Sequence, residues 1–234
     1  PLNKSLTRWL TKQVLLGCNA ISVRDNASAE LLGNWQIEPI VAPDPVWALQ
    51  SDNPPALPAT DKAIVAVVLR SHPLLTVNRL QILIQALKDF QLKSNCFILL
   101  IPFQPAQDQA IAEEIAVRIP QDCTIMSIPN PQQLKGLFKE VKMAIGMRLH
   151  SLIMAAAEGC RCFALSYDPK VSQLMSELNL SGYELEELPH EPERISAAWL
   201  AQLEQPASEP FKIQSLVDRA LIHQQLLRET IIKD

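Results

Sequence analysis

Residues 143–159 read MAIGMRLHSLIMAAAEG, and their interpretation decides the fold. Residues 143–147 are a near-continuous apolar run, as a strand covered on both faces of a parallel sheet requires. From His150 to Glu158 the residues are small and aliphatic almost without a break, which predicts a buried helix. Arg148 and His150 fall at the junction. In open α/β sheets, ligands bind outside the carboxyl ends of the strands. A helix that starts there presents free N–H groups and a partial positive charge to the same place. Arginine adds a planar fork suited to carboxylate or phosphate. Histidine adds a group that exchanges a proton near neutrality. The junction therefore reads as an anion site with an acid or base beside it.

The pattern repeats on both sides. Apolar strands are predicted at residues 63–69, 96–101, 123–128 and 162–166, alternating with helices at 77–90, 107–118, 131–141 and 169–178. Repeated strand–helix units with right-handed crossovers predict a doubly wound parallel sheet, an α/β fold. Upstream, a helix at 5–17 carries Leu6, Trp9, Leu10, Val14 and Leu15 on one side. Short strands at 20–23 and 39–41 flank a helix at 27–32, which Asp25 or Asn26 can cap. The loop SDNPPALPATD, residues 51–61, is rich in proline and polar residues and marks the best boundary. The expected organisation is a segment 1–50, a linker 51–61, a sheet domain 62–192, and helices 193–234 that pack back toward the first segment. The last helix, 211–233, has Leu216, Ala220, Ile222 and Leu226 at helical spacing and must bury that stripe.

Composition excludes several classes. The net charge is −4 with no basic cluster, so a nucleic-acid partner is not expected. Five cysteines, an odd number without a CxxC pair, read as free thiols in a reducing compartment, and no metal site is expected. No run reaches the length of a membrane span and no leader pattern is read. Cytoplasmic placement is expected, with peripheral contact at the inner face of the membrane allowed. The chain begins with Pro1, which is no translation start, so a piece of a longer protein is expected. The four tryptophans are read as packing residues, and His190 and His223 as solvated; His72, after Arg70 at a strand end, is placed on the cleft rim. Nothing indicates an oligomeric state.

Two further strand ends carry a cation: Lys170 in SYDPK (166–170), and Arg24 in VRD (23–25). Neither a GxGxxG nor a GxxxxGK[ST] phosphate loop is present. GMRLHSLIMAAAEG (146–159) followed by SYDPKVSQLMSELNL (166–180) resembles the signature of the polysaccharide pyruvyl transferases, of the bacterial cell-wall polysaccharide type. AISVRDNASAELL (20–32), APDPVW (42–47), AVVLR (66–70) and IPFQPAQD (101–108) agree with it, so the resemblance covers roughly residues 1–180. The chain departs from the pattern at Cys160-Arg161, where a Val-Pro-type pair is usual.

The resemblance implies the second half of a two-domain, glycosyltransferase-B-like architecture with Rossmann-like domains. It implies transfer of a pyruvyl group from phosphoenolpyruvate to a sugar, free or lipid-linked, as a cyclic ketal, with no cofactor. By that analogy Arg148 and Lys170 hold the donor's anionic groups. His150 contacts the donor and moves protons, and Arg24 completes the catalytic set from the other domain. Asp44, between two prolines, and Asp108, which also suits a helix cap, are lesser candidates. Two other readings remain open at this level. One is a nucleotide-sugar-dependent glycosyltransferase, with Glu177 or Glu184 on the ribose. The other is an inactive sugar- or phosphate-binding fragment.

Overall fold

The computed structural model describes residues 4–205 and 210–231. It divides into two compact units, one formed by residues up to 48 together with those from 214 onward, the other by residues 49–213.

In the first unit, α1 (Ser5–Leu16) leads to the parallel strands β1 (Ser22–Val23) and β2 (Ile40–Val41), in which Ser22 faces Ile40. Between them α2 (Asn26–Gly33) starts where the Asp25 carboxylate accepts the Ser28 N–H, as its sequence position predicts. A 3-10 turn, Pro45–Ala48, buries Trp47. The stripe of α1 differs from expectation. Leu6, Trp9, Leu10 and Val14 are exposed, Trp9 by 58%.

The second unit holds β3 (Ile64–Val68), α3 (Val77–Ser94), β4 (Phe97–Leu100), α4 (Pro105–Arg118), β5 (Cys123–Ile125), α5 (Pro131–Glu140), β6 (Met143–Gly146), α6 (Leu149–Ala157), β7 (Arg161–Ser166), α7 (Pro169–Leu178), β8 (Ser181–Glu184) and α8 (Pro192–Glu204). All six strands are parallel, in the order β5-β4-β3-β6-β7-β8. This is the doubly wound arrangement. The order reverses between β3 and β6, and that switch point opens a crevice at the carboxyl ends. The central strands are buried almost completely, as their apolar runs require. The Pro residues at the starts of α4, α5 and α7, and the left-handed Asn95 and Asn179 that end α3 and α7, set helix limits close to those read from sequence.

Four points differ from expectation. The strand β8 escapes the pattern because SGYE is short, polar and carries Gly182; that glycine lets the edge strand lie against the Ala164 carbonyl. The segment predicted as a linker is held at its start. Asp52 N–H donates to Gln132 O at 3.0 Å, and the buried Lys135 ammonium donates to Leu49 O. Helix α8 does not join the first unit. It packs on α3, where Ile195 and Trp199 are buried and the Trp199 ring meets Phe90 and Phe163 edge to face, at 5.9 and 6.2 Å. The final stretch is two helices, α9 (Pro210–Ala220) and α10 (Ile222–Ile231), broken at Leu221, whose N–H reaches the carbonyls of Val217 and Asp218. Ile213, Leu216 and Ala220 on α9 are buried.

Candidate active site

The site is built from the turn that the sequence singled out. Gly146 ends β6, and a Cβ there would lie 3.0 Å from Ser151 Oγ and 3.1 Å from Leu152. Its absence lets α6 begin close over the strand end. Arg148 is the N-cap of α6, and the Ser151 hydroxyl donates to its carbonyl at 2.7 Å. The turn thus fixes the root of the Arg148 side chain.

The guanidinium of Arg148 meets Asp108 as a two-pronged pair: Nε donates to Oδ2 at 2.8 Å and Nη2 to Oδ1 at 2.7 Å. Arg148 is 12% exposed and the Asp108 carboxylate fully buried. Asp108 Oδ2 also accepts the N–H of Gln104, the N-cap of α4, at 2.8 Å. The one carboxylate therefore holds the start of a helix and offsets a cation.

A second guanidinium lies beside the first. Arg70 follows β3, and its Nη2 donates to Gln107 Oε1 at 3.3 Å. Arg148 Nη2 donates to that same oxygen at 3.2 Å. Arg70 Nη1 donates to the Tyr167 hydroxyl at 2.8 Å, with its guanidinium carbon 5.0 Å from the ring centroid. The His72 ring lies 4.6 Å from that of Tyr167 and its Nδ1 accepts the Leu74 N–H. These residues follow β3, β4, β6 and β7, so the network spans the switch point. Arg70, Gln107 and Tyr167 were not among the site residues expected from sequence. Arg70 is a cation directly after a strand, the same signal that drew attention to Arg24 and Arg148.

The remaining expected residues are placed as follows. His150 is half-buried in the first turn of α6. Lys170 is exposed in the first turn of α7, its N–H bonded to the Asp168 carboxylate at 2.9 Å. Arg24 and Asp44 belong to the first unit, where Arg24 Nη1 pairs with Asp44 Oδ2 at 2.6 Å. Asp44 is buried, and its Oδ1 accepts the Val46 N–H. Each unit thus carries an arginine–aspartate pair beyond its strand ends. Glu177 is exposed on α7, and Glu184 ends β8. His190 is exposed as expected. His223, expected to be solvated, is half-buried and bonded: Nε2 contacts Pro43 O at 2.8 Å and Nδ1 the Ser22 hydroxyl at 2.9 Å, fastening α10 beside β1 and β2. Burial pushes the Cys160 thiol up to about 12 and Cys123 to about 11, and raises Cys162 well above its usual range, whereas Cys18 is exposed. Among the described residues no cluster of three or more His, Cys, Asp or Glu could hold a metal ion, and no helix is long and apolar enough to cross a membrane.

The family model for polysaccharide pyruvyl transferases matches residues 1–169. The chain belongs to the polysaccharide pyruvyl transferase family. Arg24, Asp44, Arg70, Asp108, Arg148, His150 and Tyr167 lie inside the matched span, and Lys170 stands one residue beyond it. Among curated proteins none matches. Solved structures share the fold at low identity. A glycosyltransferase from Rickettsia africae is 11% identical with a TM-score of 0.57, the match covering 99% of this chain and 68% of that one. The UDP-GlcNAc 2-epimerase of Methanocaldococcus jannaschii is 11% identical with a TM-score of 0.61, over 94% and 64%. The sucrose-phosphate synthase of Thermosynechococcus elongatus is 17% identical with a TM-score of 0.51, over 99% and 63%. The chain thus has a glycosyltransferase-B-like fold and spans roughly two thirds of the length of these structures.

Proposed function

We propose that this member of the family transfers the pyruvyl group of phosphoenolpyruvate to a sugar of a cell-surface polysaccharide or its precursor, forming a cyclic ketal. The observation that carries the reading is the convergence of Arg70 and Arg148 at the switch-point rim. Asp108 offsets one of the two charges, so the rim favours an anion. Phosphoenolpyruvate carries a carboxylate and a phosphate, and both suit guanidinium donors.

The chemistry balances within the reactants. A proton adds to the methylene carbon of the enol, and the adjacent carbon takes up one sugar hydroxyl. That hydroxyl gives up its proton. The second hydroxyl replaces phosphate at the same carbon, and its proton leaves with the phosphate. We assign Arg148 and Lys170 to the donor anions and His150 to the proton transfers, and keep Arg24 as a further catalytic candidate and Asp44 as a lesser one. The acceptor is a free or lipid-linked saccharide, met at the cytoplasmic face of the membrane.

The test uses the full-length protein. Calorimetry should show binding of phosphoenolpyruvate and none of a UDP-sugar; the reverse result would favour a nucleotide-sugar glycosyltransferase. With a saccharide acceptor, His150→Gln should lower kcat by about 10²–10⁴-fold and leave KM for the donor little changed, the signature of lost acid–base catalysis. Near-normal turnover in that variant would remove His150 from the chemistry.

A further inference from the structure

We infer that the carboxamide of Gln107 is a placeholder for a ligand carboxylate, and that Arg70, held by Tyr167, is the second arm of that carboxylate subsite. The inference rests on the donor reading above and adds the position of the donor's carboxylate.

The argument starts from one oxygen. Gln107 Oε1 accepts from two guanidinium groups at once, Arg70 at 3.3 Å and Arg148 at 3.2 Å. Two like charges therefore converge on a neutral acceptor. Arg148 has Asp108 as its counter-ion, whereas among the described residues Arg70 pairs with no carboxylate. Its partners are the Ser71 carbonyl at 3.3 Å, the Tyr167 hydroxyl at 2.8 Å and the Tyr167 ring face. These contacts aim the guanidinium without neutralising it. A carboxylate in place of the amide oxygen would give each arginine an ionic acceptor, and hydrogen bonds between ionised partners are roughly twice as strong as neutral ones.

The amide is also free to leave. Gln107 lies in the first turn of α4 and is exposed, so side-chain rotation alone clears the position. Its neighbour Asp108 is buried and pinned by the Gln104 N–H and by Arg148. The backbone beneath the exchange therefore stays still. A carboxylate oxygen at that position would accept from Arg70 Nη2 and Arg148 Nη2 together, as the amide oxygen does now, and the phosphate of the same donor is left for Lys170 and the start of α6.

Two substitutions of one residue should act in opposite directions. Gln107→Glu supplies a built-in carboxylate, so it should weaken phosphoenolpyruvate and pyruvate binding at least tenfold while inorganic phosphate binds as before. Gln107→Ala vacates the position, so phosphoenolpyruvate affinity should hold or rise. Arg70→Gln should lose phosphoenolpyruvate binding at least tenfold, with partial recovery in Arg70→Lys. Binding is read by calorimetry and ligand-observed NMR on the full-length protein, with melting curves to establish folding. If Gln107→Glu binds phosphoenolpyruvate like wild type, or Gln107→Ala weakens it as much as Gln107→Glu does, the amide is a structural clamp and the inference fails while the donor reading stands. If wild type ignores phosphoenolpyruvate yet binds pyruvate in a manner dependent on Arg70, the subsite stands and the donor reading fails. Binding of neither overturns both.

Discussion

Arg148 and Asp108 form one unit rather than two candidates. The carboxylate is fully buried, and removing its partner leaves a charge that water cannot reach. Breaking such a pair costs about 3–5 kcal/mol, whereas replacing both members together costs far less. Arg148→Ala should therefore act twice. In urea denaturation it should lose about 3–5 kcal/mol of stability, and Arg148→Met with Asp108→Leu should recover much of that loss. In the fraction that folds, phosphoenolpyruvate binding should weaken by about 1.5–3 kcal/mol, the scale of one charge-assisted contact. A stable Arg148→Ala protein with unchanged donor affinity would show that Asp108, not a ligand, is what this arginine serves. The sequence marked Arg148 by its strand end and Asp108 only as a lesser candidate through the family resemblance, and it did not pair them. They are 40 positions apart, and only the parallel register of β3 between β4 and β6 brings their loops together.

At the scale of elements, close approaches decide what composition leaves open. The proline-rich stretch after residue 50 reads as a tether, yet its first residues cross α5 in contact. A Cβ at Gly136 would collide with the Asp52 carbonyl, a backbone atom that cannot turn aside. The neighbouring Lys135 reaches Leu49 O and lies 3.5 Å from Glu158 at the end of α6, with burial lowering the lysine's pKa. Gly136→Ala should therefore force the loop off the helix and destabilise the second unit by about 1–3 kcal/mol, the range for overpacked sites. The check is a denaturation midpoint together with faster proteolysis within residues 49–61. If midpoint and cleavage both stay unchanged, the crossing contributes nothing. Helix α8 teaches the same lesson. Its apolar stripe announces burial but not the partner; the Trp199 ring fits between Phe90 and Phe163, and that fit assigns the helix to α3.

For the whole molecule, stability should depend on alkaline pH through the buried thiols. An unfolded cysteine ionises near 9.0, whereas folded Cys160 holds its proton up to about 12 and Cys123 to about 11, because burial disfavours the thiolate. Above 9.0 the folded state binds more protons than the unfolded one, so stability is lost as pH rises. Each such thiol contributes a slope of up to about 1.4 kcal/mol per pH unit. Urea midpoints measured across that range should fall less steeply for Cys160→Ala than for wild type; parallel slopes would refute the assignment. The sequence by itself determined the α/β class and the alternation of strands and helices. It also determined the caps and the cationic strand ends, because apolar runs, proline starts and capping side chains act over a few residues. It marked Arg148 and His150 for the same reason, since a strand-to-helix turn is local. Only the tertiary structure decided that β8 joins the sheet edge, that α8 stays with α3, and that α1 keeps its stripe exposed. It alone set Arg70, Gln107 and Tyr167 around one oxygen. Those outcomes depend on which distant surfaces meet, and strand order and shape fit settle that where local propensity carries no signal.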